Sequence, residues 1–345
     1  MSAETWEATS VEEQVAQANE TWNNPNFKVF VKSEGRELTL QECYDLEIKL
    51  SQEIFAEVSQ VANVEIPSQK YILFVDMANP GSMSNPKIKL IDTKRLSKVY
   101  EAETGDGDIN QDFTSANMRH CFGFKAGDPR FVTVKPFIQN MPTNLEDCVG
   151  IILSGSETNI TDEVIPERIA MTDKVVKFIS YAKELGIPMF GICFGSQLLN
   201  SVFRAKVDWI RDVENNDFTE ETGLVLLKKT ELGSRAGSPL EQLPNEFYVH
   251  ANHKQEVLRD SMPDNLEVLA SSDTSQVQIV KLKDSDVVWA IQNHIECCDT
   301  RADVIDDMYG IAKNDPMLFQ GESSKARRVL CPHFLRTAGK FALPS

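Results

Sequence analysis

The stretch TDKVVKFISYAKELGIPMFGICFGSQLLNSVF, Thr172 to Phe203, holds a helix-period segment, a short apolar run, and a second helix-period segment. One cysteine, Cys193, sits between Gly191 and Gly195 at the last junction. Val175, Phe178, Ile179, Ala182 and Leu185 recur on one helical face, and Gly186 stands where a C-terminal stop belongs. Ile187 to Ile192 is apolar throughout, as a strand buried on both faces of a parallel sheet must be. Leu198, Leu199, Val202 and Phe203 give the next helix its apolar face. Upstream, VGIILSG (149–155) reads as a further strand, so the order strand, helix, strand makes a βαβ unit. YILFVDM (71–77), FVTV (131–134) and VVWAIQ (287–292) add strands, and the expected fold is α/β: a doubly wound, mostly parallel sheet flanked by helices.

Bulk properties narrow the function. The net charge of −17 over 345 residues argues against nucleic acid or an anionic membrane as the main partner. No run approaches the ~18–20 apolar residues of a membrane span. The opening MSAETWEATSVEEQ is acidic and unlike a signal peptide, so a cytoplasmic location is expected. The seven cysteines (43, 121, 148, 193, 297, 298 and 331) are odd in number and irregularly spaced, as in a reduced chain. Cys297 and Cys298 lie beside His294, but no C-x-x-C accompanies them and no metal is expected. With no Walker A loop and no dinucleotide fingerprint, no cofactor is expected either.

Three parts are expected along the chain. Residues 1–69 form an N-terminal α/β extension, mainly helical, with capping boxes at Ser10/Glu13 and Thr39/Glu42, a strand in FKVFV, and a possible docking role. Residues 70–314 form the main domain, and residues 315–345 a tail packing on it, with KARR (325–328) on a solvated face and His333 structural. Within the main domain, 79–130 reads as an insertion and a candidate lid; its ETGDGDINQD (103–112) lacks the ligand spacing of an EF-hand. RADVIDDMYGIAK (301–313) reads as a helix.

Cys193 ends a strand and opens a helix. Flanking glycines suit a turn whose backbone passes too close to its neighbours for a Cβ. The helix N-terminus favours thiolate, and the Phe194 N–H can face an oxyanion. Of five histidines, His294 falls just past a strand end with Glu296 two residues on. In an extended segment both side chains would point the same way, giving a base and its orienting carboxylate. A buried thiol and a hydrogen-bonded structural histidine remain the alternatives at this level.

Together these features resemble the class I glutamine amidotransferase family, in its GMP-synthase-glutaminase-like and γ-glutamyl-peptidase-like branch. Gly191-x-Cys193-x-Gly195-x-Gln197 is similar to the family's nucleophile motif, and QNHIE (292–296) to its Gln-x-His-Pro-Glu motif. LSGSETNITDE (153–163) resembles the loop of its oxyanion strand, and the likeness spans about residues 71–312. The resemblance implies a flavodoxin-like fold and a Cys193–His294–Glu296 triad that cleaves the side-chain amide of glutamine, or another γ-glutamyl compound, through a γ-glutamyl thioester. It implies oxyanion donors at Gly155 and Phe194, Gln197 on the glutamyl backbone end, and Gly191, Gly195 and His253 as structural residues near the site. Ile295 replaces the family's proline, Ser196 stands where histidine is common, and Gln255 replaces the aspartate of a His-x-Asp-x-Val segment anchored by His253 and Val257. His250 reads as structural. No synthetase half is present in the sequence, so released ammonia would pass to a separate acceptor protein. Two alternatives stay open: a γ-glutamyl peptidase or hydrolase, and a non-catalytic scaffold that keeps the fold.

Overall fold

The computed structural model describes residues 28–31, 36–39, 49, 55, 63–78, 115, 118–119, 121–125, 127–211, 218–283, 285, 288–297 and 324–338. β1 (Lys28–Val31) and β2 (Arg36–Thr39) pair antiparallel as an N-terminal hairpin, with Lys28 opposite Thr39. Thr39 is therefore paired in a strand, whereas the sequence pattern suggests a helix cap; Lys49 and Phe55, farther on, are helical. Phe55 stacks on Phe137 with ring centroids 5.0 Å apart. The Ser10/Glu13 capping box, the acidic loop at 103–112 and the helix expected over 301–313 lie outside the described residues.

The main sheet is built from β3 (Tyr71–Val75), β4 (Phe131–Val134), β5 (Cys148–Leu153), β6 (Met189–Ile192), β8 (Glu221–Lys229), β9 (Glu246–His253), β11 (Leu266–Ser271), β12 (Ile279–Leu282) and β13 (Val288–Ile291). Its order is β4-β3-β5-β6-β13-β12-β11-β8-β9. β4, β3, β5, β6 and β13 run parallel, and β12, β11, β8 and β9 continue antiparallel. The short β7 (Val207–Trp209) and β10 (Gln255–Val257) pair separately, with Gln255 opposite Trp209.

The near-continuous apolar strands follow from burial on both faces. Tyr71, Leu73, Val75, Ile151, Leu153 and Met189 enter one core layer; Ile72, Phe74, Ile152, Phe190 and Ile192 enter the other. α1 (Pro166–Glu184) crosses from β5 to β6 and buries Met171, Val175, Phe178, Ile179 and Ala182. Leu185 does not join that face: it is the C-cap, about half exposed, and Gly186 turns at φ 67° to end the helix. α2 (Phe194–Val202) starts directly after β6. α3 (Ser324–Thr337) closes the opposite face with Leu330, Cys331, Phe334 and Leu335 buried. Ala326, inside the basic KARR run, is also fully buried, so that run has an apolar side as well as a solvated one. Among the described residues no helix is long and apolar enough to cross a membrane.

Candidate active site

Cys193 lies between β6 and α2 in a conformation that few side chains adopt, with φ 48° and ψ −109°. Such a backbone costs about 1–3 kcal/mol and persists only where its surroundings over-determine it. They do so here. The Cys193 N–H donates to Ile291 O of β13 at 2.8 Å, and the Gly195 N–H donates to Ser154 O, beside β5, at 3.0 Å. A Cβ at Gly191 would lie 2.5 Å from Gly195 O, and one at Gly195 would lie 2.6 Å from Leu153 O. Both glycines are therefore required by close backbone approach, as the sequence pattern anticipates.

The Cys193 thiol is buried beside Gln292, whose Nε2 is 3.8 Å from Sγ. His294 donates a hydrogen bond from its backbone N–H to His250 O at 2.8 Å, which fixes the chain at its own strand end. Its Nδ1 is 2.6 Å from Glu296 Oε1, and its ring makes a side-chain hydrogen bond with Cys193. Glu296 reaches the imidazole from a 3₁₀ turn, Ile295–Cys297, and not from an extended segment as the sequence pattern suggests. The buried Ile295 lies in that turn, between the two functional side chains. Burial alone would pull His294 down, but the charges of Glu296 and Cys193, with hydrogen bonds to both, hold it well above the ordinary histidine range.

His250 is pushed the other way, well below the ordinary range, by complete burial reinforced by His294. The two rings meet edge to face at 5.9 Å. The buried thiols of Cys121 and Cys148 are pushed up by burial to about 12 and about 11, as expected for inert core cysteines.

Gly155 lies against the same group: a Cβ there would sit 3.1 Å from His294 Cε1 and 3.5 Å from Cys193 Cβ. Phe194 opens α2, so its N–H has no intrahelical partner. Among the described residues no carbonyl accepts from the N–H of Gly155 or Phe194. Gln197 is buried, with its amide donating to Gln255 O at 2.9 Å and to Gln292 Oε1 at 3.3 Å. His253 shares that carbonyl acceptor, its Nδ1–H donating to Gln255 O at 3.0 Å, and its Nε2 is 2.8 Å from Glu221 Oε2.

Sequence reasoning assigns no role to Ser154, Gln292 or Gln255. Ser154 joins the elbow to β3, its Oγ accepting from the Met77 N–H at 2.8 Å and donating to Gly155 O at 2.7 Å. Its position inside LSGSET is the one available signal. Among the described residues no group of three or more His, Cys, Asp or Glu is placed to hold a metal.

A buried cysteine thus sits strained at a strand–helix elbow of a mixed α/β sheet, with a carboxylate-linked histidine at the neighbouring strand end. The sequence profile of the glutamine amidotransferase class-I family matches residues 125–304, more than half of the chain, and the chain belongs to that family. It is 30% identical over 177 residues to a glutamine-hydrolyzing GMP synthase component from Methanococcus vannielii, covering 50% of this chain and 79% of that one. The same-named component from Thermoplasma acidophilum is 28% identical over 171 residues, covering 49% and 74%. The crystal structure of a glutamine amidotransferase from Thermotoga maritima superposes with a TM-score of 0.53 at 16% identity, over 79% of this chain and all of that one, and this supports the α/β fold.

Proposed function

We propose that this chain hydrolyses the side-chain amide of glutamine through Cys193, His294 and Glu296, and that the ammonia is taken by a separate acceptor protein. The proton of the Cys193 thiol rests on His294 as an imidazolium, and the sulfur adds to the amide carbon as a thiolate. The N–H groups of Gly155 and Phe194 face the oxygen that becomes negative. The tetrahedral adduct collapses as the imidazolium gives its proton to the leaving nitrogen, so ammonia departs and a γ-glutamyl thioester remains. Water then adds to the thioester with His294 accepting its proton, and the C–S bond breaks to give glutamate and the thiol. Glu296 holds His294 in the tautomer and orientation this requires.

The observation that carries this reading is the 2.6 Å contact between His294 Nδ1 and Glu296, on a ring that also bonds to Cys193. Transfer to a separate acceptor is supported by the relatives, which are named as glutamine-hydrolysing subunits of a synthase.

Incubation with glutamine and with γ-glutamyl dipeptides, followed by assay of ammonia and glutamate, tests the proposal. Release from glutamine that is lost in Cys193→Ala is the expected result. Turnover of dipeptides alone would replace it with a γ-glutamyl hydrolase, and no turnover of either, with or without an acceptor protein, would overturn it.

A further inference from the structure

Gln255 occupies the position at which the sequence departs from the family's aspartate, and it is 2% exposed. Its side chain is fully engaged with one turn of the segment that follows Gly155. Oε1 accepts from the N–H of Ile160 at 2.8 Å and of Thr161 at 3.4 Å, while Nε2 donates to Thr161 O at 2.9 Å. The amide thus grips the backbone as a neighbouring strand would, by donor and acceptor together. The Gln255 carbonyl accepts from Gln197 of α2 and from His253. Thr161 Oγ1 and the Trp209 indole, the latter through Asp162 Oδ2, tie the same turn to β7, with Asp162 at φ 60°.

We infer that Gln255 is a positioning residue. It fixes the segment bearing Gly155 against the helix bearing Phe194, and so sets the spacing of the two N–H groups that face the developing oxyanion. The inference rests on the reaction proposed above. A carboxylate could accept from the same two N–H groups, but it has no donor for Thr161 O, and aspartate is also one carbon shorter. The residue at 255 and the turn at 160–161 are therefore matched to each other in this chain.

Losing an oxyanion donor costs an enzyme on the order of 100-fold in kcat, and a displaced donor somewhat less. In Gln255→Ala, kcat for glutamine is expected to fall by about tenfold or more. Alkylation of Cys193 by iodoacetamide, a displacement at carbon that forms no oxyanion, is expected to stay within about twofold of the unaltered protein. Gln255→Glu keeps the volume and the acceptor but loses the donor, and it is expected to show the same split if the alanine variant does not fold. A kcat within about twofold of the parent, or turnover and alkylation falling together, would overturn the inference while leaving the proposed reaction intact. If the unaltered protein releases neither ammonia from glutamine nor glutamate from γ-glutamyl dipeptides, both fall.

Discussion

Cys193 stands at the end of the parallel half of the sheet and Glu221 in the antiparallel half, and these two buried groups keep very different company. Both oxygens of Glu221 are saturated: Ser272 Oγ donates to Oε1 at 2.5 Å, and Gln278 Nε2 and His253 Nε2 meet Oε2. Around Cys193 the elbow is held by backbone geometry, and the N–H groups of Gly155 and Phe194 have no acceptor among the described residues. A saturated cluster strengthens the fold; a cluster with donors in reserve can take a ligand.

Substitutions in the two clusters should therefore part company. The largest effect is expected at Cys193→Ala: loss of glutamine turnover by on the order of 1,000-fold or more, measured as ammonia release, with the thermal midpoint little changed because alanine keeps the Cβ and the same backbone conformation. Glu221→Ala should do the reverse. It leaves the partners of a buried carboxylate unsatisfied and is expected to cost about 3–5 kcal/mol in denaturant unfolding, with near-normal turnover per folded molecule. If Glu221→Ala removes activity without lowering stability, the division between the two halves fails.

A smaller effect, on the order of tenfold in kcat/KM, is expected for Glu296→Gln. Here the pH profile sharpens the contrast. His294 is raised by the charges on Glu296 and Cys193, so it keeps its proton above the pH at which an ordinary histidine loses it. The alkaline limb of kcat/KM, where the imidazolium deprotonates, should lie correspondingly high. Neutralising Glu296 removes one source of the upward shift, so that limb should move to lower pH. A limb that stays in place would remove Glu296 from its orienting role. Last, iodoacetamide should label Cys193 ahead of Cys121 and Cys148, whose thiols burial pushes up to about 12 and about 11. Equal labelling, read by peptide mass, would contradict the assignment of the nucleophile.

The parallel half was legible in the sequence because its determinants are close together in the chain. The β5–α1–β6–α2 run declares itself by a change of period, and Gly191 and Gly195 bracket the elbow within one turn. His294 and Glu296 were found by spacing, yet the reason differed: a 3₁₀ turn, and not an extended strand, brings the carboxylate back to the ring. The network around Glu221 was not legible. Its members come from β8, β9 and the turn between β11 and β12, and no local pattern marks residues 32, 51 and 57 positions from Glu221 as its partners. Gln255 looked like a loss when set against the family pattern, and its grip on Thr161 spans 94 positions. Leu185 shows the limit at an element boundary, where capping outranks apolar periodicity.

Phe334 of α3 packs on Phe190 of β6 with ring centroids 5.3 Å apart, beneath the strand that leads to Cys193. Of the described elements α3 leaves the ribosome last, so a growing chain that has already made Cys193 still exposes the apolar underside of β6. The strand that presents Cys193 is thus backed by a side chain from a far later stretch of the chain, so the rigidity of the elbow is a long-range property that no local segment carries by itself.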